Sequence, residues 1–335
     1  MKLLKSVQLA AGVATAALVL TACGGSSTPE ASGAAADDGP VKIGINQYLT
    51  HPSLDAVATG FKKGMADAGY TGDKISYDEQ NPQGEAATNT SIVGKFASDD
   101  DLDLVLAIAT PAAQAAAQSI TDIPVLFSAV TDPVDAKLVA SEEAPGANVT
   151  GTSDKNPVKE QLELLTQIKP DAKSVGIVYS SGEANSAIQV QWAKDAAEEL
   201  GLTIEEKAIS ASSEVQQAAN SLNVDALYVP TDNAVVSALE GLLQTAQQKK
   251  IPVISADGES VKRGATATYG INYEKLGEQT AQMAVKILKG EAEPASMPVE
   301  TLTEVDLYLN SAAAEKIGLE FPADMVSEAA ENYKK

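Results

Sequence analysis

The chain has 335 residues, of which 44% are hydrophobic, with a formal net charge of −22, one histidine and one cysteine. That length suits two domains of ordinary size, and the acidity argues against nucleic acid or anionic headgroups as partners, since both need a basic footprint. One histidine and one cysteine leave no His pair for a metal, no disulfide and a poor basis for a nucleophile triad, so no cofactor or metal is expected.

Lys2 and Lys5 open the chain, Val7 to Leu20 are mostly apolar, and Leu20-Thr21-Ala22-Cys23 follows where a cleavage site is expected. This resembles the lipobox of bacterial lipoproteins. The resemblance implies residues 1–22 as a signal peptide, a diacylglycerol thioether on Cys23 and an acylated new amino terminus. The apolar run falls short of the about 20 residues of a bilayer span, which disfavours an uncleaved anchor. Residues 23–40, rich in Gly, Ser, Ala and Pro, read as a flexible tether.

From Val41, short β-branched runs alternate with longer Ala-rich amphipathic segments, the signature of βαβ units around a parallel sheet. Strands are predicted at Val41–Ile45, Lys74–Asp78, Leu104–Ala107, Val125–Ser128, Ser174–Tyr179, Thr203–Ala208, Ala226–Val229 and Val253–Ala256. Helices are predicted at Ser53–Ala68, Ala86–Ser98, Ala112–Ser119, Ala187–Leu200, Ser213–Leu222 and Ala234–Lys249. The first four strands match the second four in order and punctuation. Ile123-Pro-Val-Leu-Phe-Ser-Ala129 parallels Ile251-Pro-Val-Ile-Ser-Ala256, for example. Two tandem α/β lobes with Rossmann-like parallel sheets follow, with a single large sheet as the alternative. Ligands bind outside the carboxyl ends of such strands, so two facing edges enclose a cleft.

The stretches Gly44-Ile-Asn-Gln-Tyr48 with His51-Pro-Ser-Leu-Asp55, Ile108-Ala-Thr-Pro-Ala-Ala-Gln114, Phe127-Ser-Ala-Val-Thr-Asp-Pro133, Asn148-Val-Thr-Gly-Thr152, Tyr179-Ser-Ser-Gly-Glu-Ala-Asn-Ser186, Val229-Pro-Thr-Asp-Asn233 and Gly270-Ile-Asn-Tyr273 resemble the ABC-transporter substrate-binding lipoproteins that include tryptophan- and tyrosine-binding members. The resemblance implies a type I periplasmic-binding-protein fold with three hinge crossovers and an amino-acid-like ligand in the cleft. By that topology the first lobe is 41–151 with 269–293, the second 152–268 with 294–335, and the hinges are Asn148–Ser153, Thr268–Asn272 and Pro294–Val299. It further implies ABC permease subunits as partners, a lipid-anchored extracytoplasmic location, and a monomer.

Few cations lie near the strand-end loops, Lys137, Lys262 and Arg263 being the nearest, so a neutral or zwitterionic ligand is expected rather than a phosphate or dicarboxylate. Thr110, Ser128 and Ala129 are candidate donors to a ligand carboxylate, and Asn185, Ser186, Thr231 and Asn233 are candidate polar contacts from the second lobe. Asp232 or Asp257 is a candidate acceptor for an ammonium. Gln47 and Tyr48 end the first strand, where Tyr48 and Tyr179 suit an aromatic or apolar ligand side chain. Each Ser, Thr, Asn or Asp ahead of a helix equally serves as an N-cap. His51 with Pro52 is read as fixing the start of the first helix, and Trp192 as packing. A solute receptor of an ABC importer is the expected function, with a sugar-binding or sensory receptor as alternatives and a secreted hydrolase as a different class; no catalytic residue is expected.

Overall fold

The computed structural model describes residues 39–302 and 304–334. The signal peptide, Cys23 and nearly all of the tether lie outside the described residues. Among the described residues, no helix is long and apolar enough to cross a membrane.

The first half supplies β1 (Val41–Gln47), α1 (Pro52–Asp67), β2 (Ile75–Gln80), α2 (Ala86–Ala97), β3 (Leu104–Ile108), α3 (Thr110–Ser119), β4 (Val125–Val130) and β5 (Val149–Ser153). All pair in parallel, and a sixth strand, β11 (Glu300–Thr301), closes the sheet in the order β11-β5-β4-β3-β1-β2. Every residue of β3 and β4 is buried, as expected of strands covered on both faces. Ile43, Leu104, Leu106 and Ile108 pack under Leu54, Val57 and Phe61 of α1. On the other face Val105, Ala107 and Phe127 meet Val93 and Phe96 of α2 and Ala112 and Ala116 of α3.

The second half repeats the plan with α4 (Val158–Ile168), β6 (Ser174–Ser180), α5 (Ala184–Leu200), β7 (Thr203–Ile209), α6 (Val215–Ser221), β8 (Ala226–Val229), α7 (Asn233–Ser237), α8 (Leu239–Lys249), β9 (Val253–Ser255), α9 (Gly258–Arg263) and β10 (Ala267–Gly270). After α10 (Tyr273–Leu288) and β11 (Glu300–Thr301) come β12 (Asp306–Asn310), α11 (Ser311–Ile317), α12 (Ala323–Glu328) and β13 (Glu331–Tyr333). The second sheet runs β13-β12-β10-β9-β8-β6-β7, parallel except where β12 pairs with β10. Two separate sheets replace the single-sheet alternative. The predicted helix over 234–249 is broken at Ala238 (φ −114°, ψ 25°), and the Arg263 guanidinium takes the Val236 carbonyl at 2.8 Å.

α10 follows a second-sheet strand yet packs along α1 of the first. Glycines make that seam: a Cβ on Gly60 would sit 1.9 Å from the Glu274 carbonyl oxygen, and one on Gly277 2.2 Å from that of Val57. The two backbones therefore touch where no side chain fits.

The crossovers differ from the expected boundaries. β5 extends to Ser153, and Tyr269 and Gly270 belong to the second sheet. Residues 294–301, expected in the second lobe, sit with the first: Glu300 and Thr301 pair with Thr152 and Ser153, Thr150 Oγ1 donates to the Met297 carbonyl (2.8 Å), and the Gly146 N–H to that of Ala295 (2.9 Å). The edge of β5 was open, and this short strand satisfies its backbone groups.

Candidate functional site

The carboxyl ends of both sheets turn toward one another, and the loops after β1, β4, β5, β6, β8, β9 and β10 enclose a cavity of about 20 Å³. That is about the room of one water, so a solute of amino-acid size enters only when the sheets part and the lining side chains reseat. The contacts that hold the sheets together are polar and few. His51 Nε2 lies 3.3 Å from Asn233 Oδ1, Ser53 Oγ donates to Asp257 Oδ1 at 3.0 Å, and Thr131 Oγ1 meets Thr231 Oγ1 at 2.9 Å.

Of the residues singled out from sequence, Ala129, Asn185, Thr231, Asp232, Asn233 and Asp257 line this cavity. Ala129 is held at φ +56°, and Ala109, at the neighbouring strand end, at φ +82°. Two strained non-glycine residues side by side on one sheet edge are the backbone mark of a functional loop. Asp232 caps α7 through Val235 N–H (2.8 Å), and its other oxygen accepts from Ser180 N–H (2.5 Å) and Ser186 Oγ (2.7 Å). Asp257 likewise caps α9 through Ser260 N–H and Oγ, both at 2.8 Å. The Asp residues thus build their loops as well as face the cavity.

The other five candidates stand elsewhere. Gln47 donates to the Leu49 carbonyl (3.0 Å) and to Asp55 (2.6 Å). Ser128 turns behind the sheet into a buried hydroxyl cluster with Thr152 and Thr280, at 3.0 and 2.9 Å. Ser186 stands behind Asp232. Thr110 opens α3 with a buried hydroxyl that has no partner among the described residues, ahead of a first turn with no side-chain cap. Tyr48 is half-buried, its hydroxyl donating to the Gly84 carbonyl at 2.9 Å, and burial, with Glu183 next, pushes its pKa up to about 12.

Sequence reasoning missed Asp154, Glu183, Tyr273 and Ser53. Asp154 lies just after β5, with Thr131 Oγ1 donating to one oxygen (3.0 Å) and Tyr273 Oη to the other (2.7 Å). Glu183 precedes α5 and accepts from Asn185 Nδ2 (3.0 Å), Asn233 N–H (3.2 Å) and Ala234 N–H (3.1 Å). Burial raises Asp154 to about 6; burial and then Asp232 raise Glu183 to about 7; burial also raises Asp232. His51 is buried and lines the cavity, its pKa pushed down by desolvation, so it stays neutral there. The sequence signal for these groups was their place one to six residues beyond a strand, with Ser53, Glu183 and Tyr273 also inside stretches that carry the family resemblance.

Comparison with known proteins gives the frame for this geometry. Residues 42–333 match the model of the family described as ABC transporter substrate binding protein. A tyrosine-binding protein of Clostridioides difficile (strain R20291) is 46% identical over 271 residues, 80% of this chain and 78% of that protein. The crystal structure of an ABC domain in complex with L-Trp from Streptococcus pneumonia is 36% identical with a TM-score of 0.85, covering 88% of this chain and 99% of that one. The ligand-free, open structure of a substrate binding protein with adhesive properties from Clostridium difficile is 45% identical, covering 88% and 100%, with a TM-score of 0.67. The relative closer in sequence, solved in a ligand-free, open form, superposes less well than the tryptophan complex. With this match over nearly all of the described residues, the chain belongs to the ABC transporter substrate-binding protein family.

Proposed function

We propose that the protein is the extracytoplasmic receptor of an ABC importer, and that it captures an aromatic amino acid, tyrosine or tryptophan, between its lobes. The observation that carries this reading is chemical. Asp154, Asp232 and Asp257 line one buried cavity, Glu183 stands behind its wall on Asn185 and Asn233, and none of the four is paired with a lysine or arginine among the described residues. Such a site is built for a cationic head, and the names of two relatives, one tyrosine-binding and one crystallised with L-Trp, point to an amino acid.

Asp154 is the acceptor we assign to the ligand ammonium. Each of its oxygens accepts a single hydrogen bond, whereas Asp232, Asp257 and Glu183 each carry at least one oxygen already bonded twice or more. Thr110 and the uncapped first turn of α3 lie outside the present cavity lining, and they suit the ligand carboxylate once the sheets part and the lining reseats, because N–H groups and the positive helix end converge there. Leu54, Val236 and Tyr273 supply apolar surface to the side chain.

The moving bodies are residues 41–153 with 271–301 and residues 154–270 with 306–334. Binding and release break no covalent bond in the solute, so the role is a receptor's, not an enzyme's. Lipid on Cys23 holds the protein at the outer face of the membrane, and it acts there as a monomer. Titration calorimetry against a panel of amino acids and sugars tests the ligand, with small-angle scattering for closure. Submicromolar binding of tyrosine or tryptophan with a smaller radius of gyration is the expected result. Tight binding of a sugar with no response to any amino acid overturns it.

A further inference from the structure

Closing the lobes seals four carboxylates, and the charge this leaves is more than a ligand-binding feature. Asp154, Glu183, Asp232 and Asp257 are 2%, 5%, 0% and 2% exposed. The opposite lobe reaches two of them directly, Ser53 donating to Asp257 and Thr131 and Tyr273 to Asp154, and it covers Asn233 and Thr231 beside Asp232 and Glu183 through His51 and Thr131. The groups around them are of the wrong sign or neutral. Tyr48, Glu85 and Asp55 approach from the first lobe, Tyr273 from α10, and Tyr228 and Glu259 from the second lobe. His51 is held neutral by burial. Arg263, the nearest guanidinium, is committed to Glu240 and to the Val236 carbonyl. Hydroxyls and amides satisfy the carboxylate lone pairs, but they supply no countercharge.

A second observation points to what completes the cavity. His51 and Asn185, 6% and 4% exposed, line it, and His51 Nδ1 and Asn185 Oδ1 have no hydrogen-bond partner among the described residues. A buried polar atom without a partner carries the full cost of its desolvation, and an occupant with a polar head removes it.

We propose that this carboxylate cluster is a charge gate on closure: at neutral pH the ligand-free protein stays open because shutting it would bury uncompensated negative charge, and the ammonium of the ligand releases that restraint. The proposal rests on the amino-acid reading of the cleft and adds to it which part of the ligand triggers closure. The ammonium is the trigger, and the ring and carboxylate add affinity. Protons substitute for it, because Asp154 rises to about 6 and Glu183 to about 7 once buried. A group that binds protons more tightly in the closed form favours closure as pH falls through those values. A permease that recognises the closed shape is thereby spared empty receptors.

Small-angle scattering on the folded domain tests the gate, with circular dichroism at each pH to verify folding. Ligand-free protein is expected to be expanded at pH 7.5 and compact at pH 5. At pH 7.5, L-tyrosine and tyramine at saturating concentration are expected to bring it to the compact radius, and N-acetyl-L-tyrosine to leave it expanded. Glu183→Gln and Asp154→Asn are expected to shift ligand-free protein toward the compact form at pH 7.5. An unchanged radius between pH 7.5 and 5 overturns the gate, as does compaction by N-acetyl-L-tyrosine equal to that by tyramine. The wild-type pH comparison decides the matter even where a variant fails to fold. Failure of the ligand reading shows separately, as no calorimetric response to any amino acid while ligand-free protein still compacts at low pH.

Discussion

Replacing Gly277 by alanine reverses the usual sign of a glycine-to-alanine change in a helix. In an ordinary helix interior alanine is favoured by about 0.5–1 kcal/mol, because glycine loses more backbone freedom. At Gly277 the new Cβ would lie 2.2 Å from the Val57 carbonyl oxygen and 2.8 Å from the Phe61 nitrogen. Both are backbone atoms, and carbon–oxygen contacts of this kind settle at about 3.3–3.6 Å, so α10 must move off α1 by about 1 Å. The seam it would open is fully buried, with Val57 and Phe61 facing Leu276, Ala281 and Ala284. Overpacking of this sort costs about 1–3 kcal/mol, and here no flexible side chain can yield, so we expect the upper end. Gly94→Ala in α2, where nothing lies within 4 Å of the new Cβ, is the matched control and is expected to stabilise by about 0.5–1 kcal/mol. Urea unfolding of both variants beside wild type reads the difference. A Gly277→Ala midpoint at or above wild type would refute the account of how α10 is tied to the first lobe.

Ser53→Ala removes a hydroxyl that reaches across the cleft to the Asp257 carboxylate, and calorimetry with L-tyrosine should show a loss of about 1.5–3 kcal/mol, roughly ten- to a hundredfold in affinity; unchanged affinity would mean that this contact does not hold the closed form. Tyrosine binding is expected to weaken as pH falls from 8 to 5. Asp154 and Glu183, raised to about 6 and about 7, are ionised above those values and protonated below them, and a neutral acid no longer attracts an ammonium. Titrations near pH 6 in buffers of different ionisation enthalpy should therefore report proton release on binding, and a flat pH profile would count against the carboxylate site. Cys23→Ser is expected to free the protein from the membrane fraction, because in the proposed lipidation one residue carries the whole anchor; a variant still membrane-bound in wild-type amount would sink the lipid assignment.

What the sequence determined by itself was the architecture. Buried parallel strands read as continuous apolar runs, and Leu104–Ile108, Val125–Val130 and Val253–Ser255 announce themselves locally, so two tandem parallel sheets and the positions of their carboxyl-end loops were legible. The loops that reach the cavity were legible for the same reason: Asp232 and Asp257 precede helices in their own short stretch of chain. Tertiary structure alone decided the rest. Ser128 and Ala129 are neighbours on one strand, and pleating sends the first to the hydroxyl cluster with Thr280 and leaves the second at the cavity. Pairing of Glu300 with Thr152 moved a segment from one lobe to the other, and contact between glycines of α1 and α10 fixed a helix far along the chain to the first sheet. Asp154 and Glu183 looked like ordinary loop acids. Their raised pKa values come from burial against residues distant in sequence, which only the tertiary structure brings together.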